Sequence, residues 1–367
     1  MNQKMMLAAV LAMLLGVANL PGAVIPVTQR KVLNGLSAYN WICKDEYISS
    51  AVNGSSITLR FKGTRQVALQ VATDHMKTTV EGRFPIIAWS VNGGTVQTHQ
   101  VVAKEKSVLL ASGAADPVID LYIKGMPPFE DRYSGDVPTN APKITGFIVD
   151  DGGSAMSAAL PGKVWLNIGD SIMSGDGAAY AEGQGRPPDD APAASEDGRA
   201  SYGYLLAQHY GFREARIAYG GHNWAGGMAN LPALTTLIDK KTSTVSRLDG
   251  DVLSPIPDVV MINLGENGAP ADTAEIQALG KLRSRVNAAT KVIVMIPVSG
   301  KGKAEVTRAF NSYKDSAKDD NVYLIDLGQV TFDTCDGQHP TAAGHQAIYK
   351  TALPAFDAIV SKIPASP

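Results

Sequence analysis

The sequence is poor in the features that would commit it to several common functions. Only two of its 367 residues are cysteines, Cys43 and Cys335. Two readings follow: one bridge tying the N-terminal region to residue 335 in an oxidising compartment, or two separate buried thiols. Neither sign of charge dominates, since 33 Lys and Arg face 35 Asp and Glu for a formal charge of −2. With no acidic or basic block, there is no electrostatic case for nucleic acid or an anionic membrane surface as partner. No metal-ligand spacing occurs among the histidines and cysteines, which speaks against a zinc mechanism. No Gly-x-Ser-x-Gly elbow is present, which speaks against an ordinary α/β-hydrolase. No repeat period is visible, and beyond residue 18 no apolar run approaches the ~20 residues needed to span a bilayer.

Residues 1–18 read as an export signal. Lys4 gives a short basic start, Met5–Leu15 is a compact apolar run, and Gly16-Val17-Ala18 supplies small residues for cleavage. The expectation is a mature protein that is secreted or periplasmic. The length exceeds the usual ~250–300-residue limit of one core, so two domains are expected.

Residues 25–150 read as an all-β sandwich. Apolar residues alternate at Ile57, Leu59 and Phe61, at Val67, Leu69 and Val71, at Ile87, Trp89 and Val91, and at Ile119, Leu121 and Ile123. That period of two puts one face of each strand in a core. Asn92-Gly93 marks a hairpin turn, and a last strand is expected near Lys143–Val149. Residues 151–162 are polar and small and read as a linker. From residue 163 to 363 the pattern changes to short continuous apolar runs separated by helical segments, as in a parallel sheet covered on both faces. The strands would be Val164–Ile168, Ala215–Tyr219, Val259–Leu264, Val292–Pro297 and Val322–Leu327. Helices are expected at Tyr202–Tyr210 with Ser201 as N-cap, at Asp272–Ala289, at Ala304–Ala317 and from Pro340 onward. The long segment 174–200 follows the first strand's exit, and a stretch with so little periodicity suits a functional wall.

Ligands of such sheets sit at the carboxyl ends of the strands, and the reactive residue types fall there. Val164–Ile168 leads into Gly169-Asp170-Ser171, placing a hydroxyl at a strand exit. Asp336-Gly-Gln-His339 offers a carboxylate and an imidazole three residues apart. A serine becomes a nucleophile when a histidine takes its proton and a carboxylate fixes the histidine's tautomer. Gly221, whose N–H has no side chain in front of it, and the amide of Asn267 would form an oxyanion hole. Donors of this kind are worth on the order of 3 kcal/mol each. His222 and Trp224 follow the glycine and are candidate pocket residues, with Trp224 able to stack on a sugar face. The chemistry is that of a serine esterase needing no cofactor or metal.

These pieces resemble the blocks of the SGNH (GDSL-like) hydrolase superfamily over about residues 163–363: Ser171 in Gly-Asp-Ser, Gly221, Asn267, and Asp336 with His339. The resemblance implies a flavodoxin-like, three-layer α/β/α domain. One position departs from the pattern, because Gly268 stands where the family has an Asp that supports the Asn loop. The whole layout, with Ile57–Gly63 and Gly169–Gly175, is similar to the second family of carbohydrate esterases, which join a β-sandwich (here expected to be jelly-roll-like) to an SGNH domain. That likeness implies removal of O-acetyl groups from an acetylated polysaccharide or oligosaccharide. Some members of that group work with a Ser–His dyad, which leaves the part of Asp336 open. The alternatives are a lipase or thioesterase acting on longer acyl chains, an O-acetyltransferase, and a polysaccharide-binding protein with a vestigial site.

Overall fold

Alternation along the early strands and continuous apolar runs along the later ones build two different kinds of sheet. The computed structural model describes residues 22–363 apart from 79, 129, 159, 161, 269 and 270. The export segment expected at residues 1–18 lies outside the described residues.

The N-terminal part contains β1 (Ala23–Pro26), α1 (Arg30–Leu33), β2 (Ile42–Cys43), β3 (Ile48–Ser49), β4 (Ser56–Lys62), β5 (Gln66–Ala72) and β6 (Ile86–Val91). It continues through β7 (Gln97–Gln100), β8 (Ser107–Ser112), β9 (Val118–Gly125), β10 (Lys143–Val149) and β11 (Ser154–Ser157). One antiparallel sheet runs β2-β3-β10-β5-β8, with β1 also on β10, and the other runs β11-β4-β9-β6-β7. Ile57, Leu59 and Phe61 of one sheet meet Val67, Leu69 and Phe147 of the other in a single buried core. The β6–β7 hairpin turns at Asn92 and Gly93, both with positive φ (54° and 70°), as a two-residue primed turn requires. The stretch read as a linker, 151–162, is partly sheet: β11 pairs antiparallel with β4 from Ser154 against Lys62 to Ser157 against Leu59. Only Ala155 of that strand is buried, too little pattern to read from sequence.

The C-terminal part is a five-stranded parallel sheet of β12 (Val164–Gly169), β13 (Arg213–Ala218), β14 (Val259–Asn263), β15 (Lys291–Met295) and β16 (Val322–Ile325). Its order, β13-β12-β14-β15-β16, is the flavodoxin-like 2-1-3-4-5 arrangement. The helices are α2 (Ser171–Ser174), α3 (Tyr202–His209), α4 (Leu234–Asp239), α5 (Asp272–Arg283), α6 (Lys303–Ala317) and α7 (Ala342–Val360). Val164, Leu166 and Ile168 of β12 face α4, α5 and α6, while Trp165 faces α3 and α7. Both faces are therefore covered, and all six residues of β12 are buried. Helix α5 stops at Arg283 rather than running to Ala289. The Arg283 guanidinium collects the carbonyls of Asn287 and Thr290, which turns the chain back toward β15. Helix α7 begins at Ala342 after Thr341, whose hydroxyl accepts the Gly344 N–H, two residues later than a start at Pro340.

A row of buried polar side chains lies behind the β12 exit. Trp165 Nε1 donates to Asn167 Oδ1, Asn167 Nδ2 donates to Glu214, and Glu214 accepts from Arg216 Nε at 2.8 Å. Arg216 then donates to the Met173 carbonyl in α2 and to Ser201 Oγ at the start of α3. The N-terminal part reaches this row, since Gly54 (φ 84°) approaches the guanidinium so closely that a Cβ there would lie 3.0 Å from its central carbon. A second arginine, Arg247, binds the Tyr39 carbonyl and Asn40 Oδ1 of the N-terminal part together with the Leu237 carbonyl at α4. Arg216→Met strands Glu214 as a buried unpaired charge and is expected to cost about 3–5 kcal/mol. Urea denaturation would check it as a lowered midpoint at unchanged slope.

Candidate active site

β12 ends at Gly169, where a side chain would run into Met173, 2.4 Å from the position of a Cβ. The next residue, Asp170, caps α2, its Oδ1 accepting the Ile172 N–H at 3.0 Å. This seats Ser171 at the head of a single helical turn. One turn carries few aligned peptides, so the helix-dipole help expected for Ser171 is small.

From the other end of the chain, His339 brings Nε2 to 3.0 Å from Ser171 Oγ, while its Nδ1 lies 2.8 Å from Asp336 Oδ2. The Asp336 loop is tightly made, with Oδ1 accepting the N–H groups of Gln338 and His339. Burial works against the Asp336 charge, but the His339 N–H, the His339 ring and the Gln338 N–H outweigh it and hold the carboxyl at about 2. Asp336 is therefore an acceptor throughout the neutral range, which assigns the proton on Nδ1 and leaves Nε2 to face the serine. Asp333, three residues before Asp336, contributes its backbone carbonyl, which accepts the Thr341 N–H.

Asn267 is held despite the missing Asp at Gly268. Its amide donates to the His222 carbonyl at 3.2 Å and to Asp170 Oδ2 at 3.4 Å, and its own carbonyl accepts from Asn223. Asp170 thus touches both the serine turn and the asparagine. Burial pushes its carboxyl up to about 7, against the opposing pull of the Ile172 N–H and with Glu266 adding to the rise. Gly221 has φ 70°, and a Cβ on it would lie 2.7 Å from the Met228 side chain, so this position needs glycine on both counts. Cys43 and Cys335 are both free thiols. Cys335, beside Asp336, is buried, and burial raises its thiol to about 11.

Two residues expected in the pocket lie elsewhere. Trp224 is fully buried in the core under α4, and its indole N–H donates to the Leu264 carbonyl, so no ring face is free for a sugar. His222 is also fully buried, with Nε2 on the Pro232 carbonyl, and burial lowers it to about 4. The turn at Gly221 sends both side chains inward. Apart from Asp336 and His339, the walls of the cavity come from residues that no spacing pattern marks. About 380 Å³ of space is bounded by Arg83, Pro127, Pro128 and Glu130 from the N-terminal part. The facing walls are Asp176, Arg186 and Asp189 from the long loop, with Cys335, Asp336 and His339. Gly183 and Gly185 N–H groups tie that loop to the Thr334 and Cys335 carbonyls, and Arg186 Nε lies 3.2 Å from Asp336 Oδ2.

A doubly covered 2-1-3-4-5 sheet with this Ser, His, Asp and Asn arrangement at its carboxyl ends defines the SGNH class of acyl hydrolases. The model of the GDSL-like lipase/acylhydrolase family matches residues 166–352, about half of the chain, and the chain belongs to that family. No curated protein matches the sequence. Its fold is similar to that of the acetyl xylan esterase Est2A from the rumen bacterium Butyrivibrio proteoclasticus. There the TM-score is 0.73 at 17% identity, over 93% of this chain and 100% of that one. A family two carbohydrate esterase from Clostridium thermocellum, solved with cellohexaose, gives 0.69 at 18% identity over 89% and 99%. One from Cellvibrio japonicus gives 0.72 at 15% identity over 93% and 98%. The likeness covers both sheets of the sandwich as well as the parallel sheet.

The Asp170 carboxyl provides a test by pH. Its raised folded value means that the native state keeps a proton the unfolded chain releases between about pH 4 and 7, so its contribution to stability falls as pH rises through that window. Asp170→Asn lacks this titration. The melting temperature of the wild type relative to the variant should be highest near pH 4 and decline to about pH 7, as scanning calorimetry across pH would show.

Proposed function

We propose that this protein is an exported serine esterase that removes O-acetyl groups from a polysaccharide. The observation that carries the reading is the row Ser171 Oγ, His339 Nε2, His339 Nδ1 and Asp336 Oδ2, joined at 3.0 and 2.8 Å beside an open cavity. His339 takes the Ser171 proton as Oγ attacks the acetyl carbonyl, and Asp336 stabilises the imidazolium. The Ser171 and Gly221 N–H groups and the Asn267 amide hold the tetrahedral oxyanion. In this step Asn267 exchanges its long bond to Asp170 for the oxyanion. His339 returns the proton to the departing sugar oxygen, and water then cleaves the acyl-serine by the same route.

The acetyl and carbohydrate part of the reading is supported by the whole-chain likeness to carbohydrate esterases, sandwich included. The cavity wall mixes Pro127, Pro128, Pro187 and Pro192 with the charged Arg83, Glu130, Asp176, Arg186 and Asp189, and those charges offer partners to the hydroxyls of a sugar. Export is supported by the basic, apolar and small-residue pattern of residues 1–18. Acetate release from acetylated xylan, glucomannan and peptidoglycan tests the activity. Wild type should release it from at least one, Ser171→Ala from none, and Asp336→Asn should lose on the order of 10³–10⁴ in kcat. Wild type that releases none, and leaves p-nitrophenyl acetate intact, would rule the esterase reading out. The mass of the protein recovered from outside the cytoplasm should lack the first 18 or so residues.

A further inference from the structure

Asp176 has no part in the mechanism above, yet it stands at its centre. It lies between Gly175 and Gly177, with φ of 87° and 82°, in the first turn of the long loop after the serine. Neither glycine can carry a side chain. A Cβ on Gly175 would lie 2.2 Å from the Asp197 carbonyl oxygen, and one on Gly177 would lie 2.8 Å from His339 Cβ and 2.9 Å from Cys335 Sγ. The Asp176 N–H donates to the Ser171 carbonyl at 3.0 Å, and Ser195 Oγ donates to its Oδ1 at 2.9 Å. The backbone and one carboxylate oxygen are thereby fixed. Among the described residues Oδ2 accepts no hydrogen bond and faces His339 Nε2 at 3.7 Å. The residue is on the wall of the cavity.

Catalysis requires the leaving oxygen to come within about 3 Å of His339 Nε2, because that nitrogen returns the proton. Asp176 Oδ2 is beside the place where that oxygen must be. On a sugar, the hydroxyl of an adjacent carbon is the next polar group along. We infer that Asp176 is a specificity-determining residue. Its Oδ2 accepts a hydrogen bond from a free hydroxyl next to the acylated one, and so selects esters of vicinal diols. This inference rests on the carbohydrate-ester reading and sharpens it: the preferred substrates carry an unsubstituted neighbouring hydroxyl, and fully substituted sugars are poor.

A rival role for the same carboxylate is electrostatic, acting through His339. The charged and titratable groups around it on this side are Asp336, Arg186, Cys335, Tyr180, Glu196 and Arg132, with Asp170 and His345 behind the histidine. Three esters separate the two roles: p-nitrophenyl acetate, methyl 3-O-acetyl-β-xylopyranoside, and its 2,4-di-O-methyl derivative. Wild type should prefer the free-hydroxyl sugar over the methylated one by about tenfold or more in kcat/KM, the range of one hydrogen bond to a charged acceptor. Asp176→Ala should erase that preference, with kcat/KM falling about tenfold or more further on the free-hydroxyl sugar than on p-nitrophenyl acetate or the methylated sugar. Asp176→Asn, which keeps an acceptor oxygen, should restore part of it.

Equal losses on all three esters, or a shifted pH profile for p-nitrophenyl acetate, would assign Asp176 to His339 and overturn the inference. Wild type that does not distinguish the two sugars would overturn it without any variant. Wild type that attacks p-nitrophenyl acetate but neither sugar would instead remove the carbohydrate reading on which it rests.

Discussion

The ion pair between Glu214 and Arg216 is the constraint from which the site is built. Both charges sit on β13 and are buried, so each must be satisfied by the protein. Glu214 answers to Asn167 and through it to Trp165 on β12, and Arg216 answers to the carbonyl of Met173 and the hydroxyl of Ser201. Those partners fix where the single turn α2 ends and where α3 begins. Because α2 starts at Ser171, the position of that serine is set by a polar network on the face of the sheet covered by α3 and α7. Burying such a pair brings little net stability, but it admits only one arrangement of the chains around it.

In front of the network, carboxylates do different work according to their surroundings. Asp336 collects N–H donors and stays ionised to about pH 2, whereas Asp170, buried and close to Glu266, is pushed up to about 7. The first can serve as a permanent partner for an imidazole. The second is a cap and an anchor for Asn267, replacing the support that an Asp at position 268 would supply. Glu266 is itself kept in place by Lys301, 2.9 Å away, and by the Ser299 hydroxyl.

Much of this was legible in the chain. Alternation gave the sandwich strands because one face of each is solvated, and continuous apolar runs gave the parallel sheet because both faces are covered. Ser171, Asn267, Asp336 and His339 could be picked out because each follows such a run or precedes a helix start. Trp224 and His222 were misplaced since sequence does not tell which way a turn with positive φ throws its side chains. Arg83 carries no signal, because its position depends on the docking of two sheets, and Asp176 and Arg186 lie in the segment 174–200 expected to form a wall, where no period marks which side chains face the cavity. The strand Ser154–Ser157 was hidden for want of apolar residues, and the end of α5 was decided by an arginine folding back onto loop carbonyls.

Because the cavity draws one wall from the sandwich and the rest from the loop after the serine and the Asp336–His339 segment, part of its lining is encoded in a stretch of the gene separate from Ser171, Asp336 and His339. Arg83 and Glu130 can vary without disturbing Ser171, His339 or Asp336, none of which they touch in any hydrogen bond or ion pair described above. That wall can therefore change its shape and charge through substitutions in a part of the chain that holds none of those three residues.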